Sequence, residues 1–462
     1  MEFNLTTEKD TNIDYKPSIY DVKMILDEEI VGEDTTKLAL FAHWVLADKN
    51  VLMAGPRSSG KTFISDHISK YFLGDNCYPV TLGSAKAGWY QVKDIQESTH
   101  IIIFELNQMP ADFMEVLKLW GEGKDATYKV VTMVNGARSV QTYKLPPRPY
   151  TFCLADEEEL KVGEQLSSRI TTLRTDNSIS QNKAVLKEQA ILAKSRKNHR
   201  KVDEVKLKKM SEHINTMPTM GTLIFKHPGA DEFVDAVPAF FTDSRRDFPK
   251  YLANTFGITR FYWKDRILKN MKNDKRLVLV TPQDMYINHK IFWGALVDSS
   301  LKCSALERTM IDIMKEQGKS MERTEIQREL RKKGVSVSGH MVSNHMNSIA
   351  DLGYVEKFKD KSKITYAMGQ LFDDFKFEID WRKVVETSKK NVIDEFPEFA
   401  EEYIKKFCDN PLVIDPFTGE EVNLMNLTIE EKKEIKPFTQ YKEPVADDEF
   451  MDFVNIDDAE DI

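Results

Sequence analysis

The sequence predicts a mixed α/β protein. A parallel-sheet core with a helical lid comes first, then a small helical unit ending in a hairpin, then an acidic end. Three observations predict it. Apolar strand-like runs alternate with helical ones over residues 31–180. One such run, Val51–Ala54, leads directly into a glycine-rich loop. Residues 298–370 carry apolar positions at helical spacing, followed by two short strands around a basic turn.

The 462 residues suit two or three domains. The expected division is a polar lead-in (1–30), the α/β core (31–180), a largely helical lid (181–297), the small unit (298–370) and an acidic extension (371–462). Hydrophobic residues make up 41% and charged residues 30%, the balance of a globular chain. No apolar run approaches the ~20 residues of a membrane span. The start, "MEFNLTTEKDTNIDYKP", is polar and acidic and reads as neither signal nor transit peptide. Four scattered cysteines suggest neither a zinc site nor a disulfide framework. A cytoplasmic or nucleoid-associated protein is the expectation. The net charge of −9 argues against a generally basic nucleic-acid coat and leaves room for local basic surfaces.

The strongest signal is Gly55-Pro56-Arg57-Ser58-Ser59-Gly60-Lys61-Thr62, a full GxxxxGK[ST] between a strand and a helix. Its glycines let backbone N–H groups turn toward phosphate. Lys61 brings a point charge to the β/γ oxygens, and the Thr62 hydroxyl suits Mg²⁺. A helix beginning at about Thr62 presents its positive end to the anion. ATP and Mg²⁺ are therefore the expected ligands.

Downstream, Ile101–Phe104 reads as a second buried strand ending on Glu105. Tyr150–Leu154 reads as a third, followed by Asp156. "LSSRITTLRTD" places Arg169 after a short helix, and "TDSRRDFPKYL" opens a helix at Arg245-Arg246. This order resembles the AAA+ ATPases over roughly residues 20–295. The resemblance implies that Asp156 stands at sensor 1, where Asn is usual. It implies that Arg169 is an arginine finger acting in trans, and that Arg246 (Arg245 as second choice) is sensor 2. "VTPQD" is similar to a stretch common in AAA+ lids. An arginine finger in trans implies self-association into a ring, with six subunits expected.

Between Glu105 and Asp156, a helix ends at Glu122-Gly123. Two strands, Ala126–Val134 and Arg138–Lys144, then turn at Asn135-Gly136. This resembles the pre-sensor hairpin of MCM replicative helicases, which implies DNA contacts from Lys129, Arg138 and Lys144. The OB-fold and zinc module of that branch have no counterpart here, so a stripped relative from a virus or mobile element is expected. "HIIIFELNQM" matches the MCM run "I-D-E-F-D-K-M", with Phe104 in place of the metal-associated Asp and Glu105 retained to activate water. A frame shifted by one makes Glu105 the metal acid and leaves no base.

Residues 298–370 parse as three helices and a hairpin and resemble a winged helix. The contacts this implies are Ser338, His340, Ser343, Asn344 and Asn347 on the third helix, with Lys359, Lys361 and Lys363 in the wing. The third helix has no Arg or Lys, which leaves protein docking equally open. The tail "ADDEFMDFVNIDDAEDI" reads as disordered, either as a docking peptide for a replication protein or as a solubilising end.

The functional expectation is an ATP-driven DNA translocase or helicase acting in replication. The alternatives are an initiator or loader on duplex DNA, a nucleotide-binding scaffold without turnover, and a MoxR-like remodelling chaperone.

Overall fold

The computed structural model describes residues 16–80, 92–104, 111–134, 137–155, 166, 169–194, 202–234, 244–300, 303–335, 337–360, 363–369 and 379–427. Its centre is a five-stranded parallel sheet. The strands are β1 (Val51–Gly55), β2 (Cys77–Val80), β3 (His100–Ile103), β6 (Tyr150–Ala155) and β7 (Thr171–Arg174), in the order β2-β3-β6-β1-β7. β1 pairs with β6 on one side and β7 on the other, and every one of its residues is buried. Burial on both faces explains why these strands read as continuous apolar runs rather than alternating ones.

Two helices, Ile19–Asp27 and Asp34–Leu40, lead into the core. Helix α1 (Ile19–Asp27) buries Ile19, Val22, Ile25 and Leu26, one stripe at helical spacing. Ser18 and Asp21 close a capping box at its start. Helix α2 (Asp34–Leu40) follows and runs on through a wider turn, Phe41–Leu46, that is buried throughout. Helix α3 (Lys61–Ile68) leaves the glycine-rich loop. Helix α4 (Val92–Glu97) precedes β3, and α5 (Ala111–Gly121) follows it.

Between α5 and β6 stands the expected hairpin, β4 (Ala126–Val134) against β5 (Ala137–Leu145). Its two strands form a sheet of their own, anchored at the base by the buried Ala126 and Leu145. The turn residues Asn135 and Gly136 lie outside the described residues.

Beyond the core come α6 (Ile179–Lys194), α7 (Glu204–Asn215), α8 (Ser244–Phe261) and α9 (Pro282–Ser300). The charged α6 is largely exposed, as expected for a solvated helix. The lid also holds a three-stranded sheet that helical periodicity did not reveal. It consists of β8 (Leu223–Lys226), β9 (Leu268–Asn270) and β10 (Arg276–Leu279). The stretch "VTPQD" has a physical role here. The Asp284 amide donates to Thr281 Oγ1 at 3.3 Å, and the Thr281 amide donates to Asp284 Oδ2 at 3.1 Å, a reciprocal cap on α9. The same buried carboxylate accepts from Thr259 and from the Arg266 guanidinium. Arg266 in turn lies over Tyr262 and Phe407.

The unit at 303–369 has three helices, α10 (Ala305–Gln317), α11 (Arg323–Lys332) and α12 (Gly339–Asp351). They pack on an antiparallel sheet of β11 (Met321–Glu322), β13 (Lys363–Met368) and β12 (Val355–Asp360). Gly353, at φ +80°, ends α12 as its position in the sequence required.

The acidic extension is folded over part of its length. Residues 379–427 are folded, as α13 (Trp381–Glu395), α14 (Pro397–Tyr403) and a hairpin of β14 (Leu412–Ile414) and β15 (Glu421–Asn423). They close over the lid. The Tyr403 hydroxyl donates to Val280 O at 2.7 Å, Tyr286 donates to Asp415 at 2.8 Å, and Trp381 packs edge-on to Tyr286. Their apolar residues belong to the same core cluster as α1 and β1. The charged count of the segment masked a spaced set of buried residues: Trp381, Val384, Val385 and Val392. The tail at 428–462 lies outside the described residues.

Removing one partner of the buried Arg266–Asp284 pair leaves an uncompensated charge. Asp284→Ala is expected to lower stability by about 3–5 kcal/mol, measured as a drop in the urea midpoint at unchanged slope.

Candidate nucleotide site and its arginine face

The glycine-rich loop leaves the C-terminal end of β1. Gly55 has φ +154°, and a Cβ there would meet Thr175 Oγ1 at 2.1 Å. Gly60 sits at φ +86°, and Ser58 also takes a left-handed conformation, φ +64°. These turns bring the start of α3 under the loop. Among the described residues no side chain caps the start of α3, and a helix N-terminus suits an anion. Lys61 is buried, and its ammonium donates to Gly55 O at 2.8 Å and Pro56 O at 2.5 Å. Arg57 and Thr62 are exposed beside it. The loop therefore fits a triphosphate: backbone donors, a folded-in lysine and an uncovered hydroxyl converge on one end of the sheet.

A cleft of about 850 Å³ opens from this loop, within the range of small-ligand pockets. Of the glycine-rich loop it reaches Gly55; its lining also includes Thr35 and Thr36 at the start of α2 and Arg174 to Ser178 at the end of β7. Hydrogen bonds tie these segments together. Thr36 Oγ1 donates to Arg174 O at 2.7 Å, Gln181 donates to Val31 O at 2.7 Å, and the Asp176 amide donates to both Glu33 oxygens at 2.9 and 3.1 Å. Glu33 is a residue the sequence did not single out. It takes φ +55°, and burial pushes its carboxyl up to about 7 against the lowering effect of the Asp176 amide.

The acid positions are less fully placed. β3 ends at Ile103, and Phe104 is half-buried against the main apolar cluster. Glu105 and Asp156 lie outside the described residues.

Arg169 and Arg246 lie elsewhere. Both line a second cleft, of about 1120 Å³, together with Asn50, His100 and Pro149. Those three residues mark the N-terminal ends of β1, β3 and β6, so this cleft is at the end of the sheet opposite the glycine-rich loop. β1 alone separates the two ends by about 13 Å. Arg169 is held by Glu122, and Lys124 and Arg169 keep the Glu122 carboxyl below its usual range. Gly121 makes room for this, because a Cβ there would come within 3.1 Å of the Arg169 side chain. Sequence reasoning missed the other cations of the cleft, among them Lys49, Arg148 and Lys250. They come from separate elements, and only the fold gathers them.

On the hairpin, Lys129 pairs with Thr142, Lys144 with Thr127 and Arg138 with Met133. Directly opposed residues share a face, so Lys129, Arg138 and Lys144 all lie on one face. All three are exposed, as are Val131 and Val140 between them.

In the 303–369 unit, Ser338 is occupied as the N-cap of α12, accepting from the Met341 amide. Asn344 meets His340 at 3.4 Å, Asn347 accepts from Lys357 at 2.9 Å, and Lys363 pairs with Glu322 at 3.3 Å. Ser343 and Lys359 are described; Lys361 is not.

No family model matches this chain, and no curated protein matches it. Solved structures similar in part include the following two. One is a "putative ATPase" from Cytophaga hutchinsonii, 14% identical, covering 59% of this chain and 86% of that one, with a TM-score of 0.34. The other is Cdc6p from Pyrobaculum aerophilum, 8% identical, covering 80% and 98%, with a TM-score of 0.20. Likenesses this slight carry no functional weight.

The Glu33 position gives a pH signature. With a folded value near 7 above the ordinary ~4.3, the folded state holds more protons than the unfolded state between these values. Stability therefore falls as pH rises through that window. Relative to Glu33→Gln, the wild-type chain is expected to lose stability between pH 4.5 and 8, read from urea unfolding at both pH values.

Proposed function

We propose that this chain is an AAA+ ATPase of the MCM-like branch that translocates along DNA as a ring. The observation that carries this reading is the separation of two half-sites on one sheet. The phosphate loop is at one end, and Arg169 with Arg246 is at the other. Neither arginine can serve the loop of its own chain across the length of β1. Each fits the loop of a neighbour, where it would neutralise charge developing on the γ-phosphate. Arg246 as a reader of γ-phosphate thus acts in trans, as Arg169 does.

Gly55–Thr62 would hold ATP, with Thr62 on Mg²⁺, which supplies charge neutralisation at the phosphates. Glu105 is the proposed base for water, and Asp156 the residue that orients it. The basic hairpin face suits a strand of DNA, since Lys129, Arg138 and Lys144 line up along one exposed side. The 303–369 unit is read as a winged helix. Asn344, Asn347, Lys359, Lys361 and Lys363 remain its proposed DNA contacts. Location in the cytoplasm or nucleoid, and a replication partner for the acidic tail, belong to the same reading. One observation favours a scaffold without turnover: Phe104 packs where a metal-associated acid would stand.

Mixing variants tests the split site. Lys61→Ala and Arg169→Ala are each expected to lower ATP turnover at least ~100-fold. Mixed assemblies of the two should recover part of it, because some interfaces join an intact loop to an intact arginine. No recovery, with both variants assembling, would place Arg169 outside the neighbour's site.

The hairpin makes a separate prediction. Replacing Lys129, Arg138 and Lys144 by Ala should abolish stimulation of turnover by single-stranded DNA. It should also lower the salt slope of DNA binding by about 2, at ~0.7 per lost phosphate contact.

A further inference from the structure

The cleft that opens from the phosphate loop is not built by the core alone. Arg308, Thr309 and Asp312 of α10, and Lys332, Lys333 and Val335 at the end of α11, line the same cavity as Gly55, Thr36 and Thr175. The small helical unit therefore forms a wall of the cleft that reaches Gly55. We propose that Lys332 and Lys333 contact the bound nucleotide, so that nucleotide occupancy and the position of the 303–369 unit are coupled. This rests on the reading of Gly55–Thr62 as the ATP site.

Charge supports it. The cleft faces a polyanion, and the cations Arg174, Arg308, Lys332 and Lys333 outnumber the acids Asp176 and Asp312 among its charged lining residues. Lys332 is held by Glu329 at 2.8 Å and Lys333 by Glu316 at 2.7 Å. Both pairs are on the surface, where such ion pairs contribute little, so a phosphate or ribose oxygen can replace either carboxylate. Chain connectivity supports it too. The unit is an excursion between α9 and α13, and both of those helices pack in the main core cluster. It is flanked in sequence by the lid helix α9 and by α13 of the extension. By linkage, whatever the unit binds changes nucleotide affinity by the same factor that nucleotide changes its own.

The test uses the full chain and a fluorescent ATP analogue. Lys332→Ala with Lys333→Ala is expected to weaken binding about tenfold. Lys332→Arg with Lys333→Arg should restore most of it. ATP should also slow amide exchange in Arg323–Lys332 of the wild type. Lys61→Ala separates the two readings. If it leaves binding unchanged, the ATP site itself is misassigned. If it abolishes binding while the double Ala variant binds like wild type and exchange is unaltered, the proposed coupling is wrong.

Discussion

A parallel sheet has two chemically different ends, and that asymmetry organises this protein. All strands of the central sheet point the same way, so every strand-to-helix turn is at one end and every return at the other. The glycine-rich loop occupies the first end because a helix N-terminus is available only there. Arg169 precedes β7 and so must sit at the second end. No side-chain rotation moves it across the sheet. On the proposed reading, the two parts of a phosphoryl-transfer site are both in the chain and are kept apart by backbone direction. That turns a catalytic requirement into an assembly requirement.

The lid is held to this sheet by buried polar contacts as well as by apolar packing. Asp284 caps α9, pairs with Arg266 and accepts from Thr259. Arg260 reaches back to Leu46 O at 2.9 Å and to Asp48. Gly257 lets α8 approach the backbone of Ala47, because a Cβ there would come within 2.8 Å of its nitrogen. The folded part of the acidic extension adds to these contacts by covering α9 with Trp381 and Tyr403.

The phosphate loop was legible because glycine and lysine spacing has one structural solution between a strand and a helix. The hairpin was legible because Asn135-Gly136 stands between two runs of β-forming residues. The core of the small unit was legible from helical spacing alone: Met310, Ile313, Met314, Val342, Met346 and Ile349 are all buried. The clefts were not, because they are assembled from distant segments. Glu33 meets Asp176, 143 residues away, and no local pattern encodes that approach. The packing of residues 379–427 was not legible for a related reason. Acids outnumber bases in this segment, 11 to 6, while its buried stripe of Trp381, Val384, Val385 and Val392 finds partners in the lid.

Phe104 bears on how the proposed site could hold a metal. Its ring packs against the main core at the end of β3, so the position is used for packing. A carboxylate there would face apolar neighbours and carry a desolvation cost. An acid that helps retain Mg²⁺ acts largely through water, whereas in the proposed site the Thr62 hydroxyl and the phosphates would be direct ligands. Substituting Phe therefore removes an outer support while keeping the ligands that touch the ion. The burden of metal retention shifts onto the phosphates. It follows that nucleotide and Mg²⁺ should enter this site together, with little affinity for the metal alone.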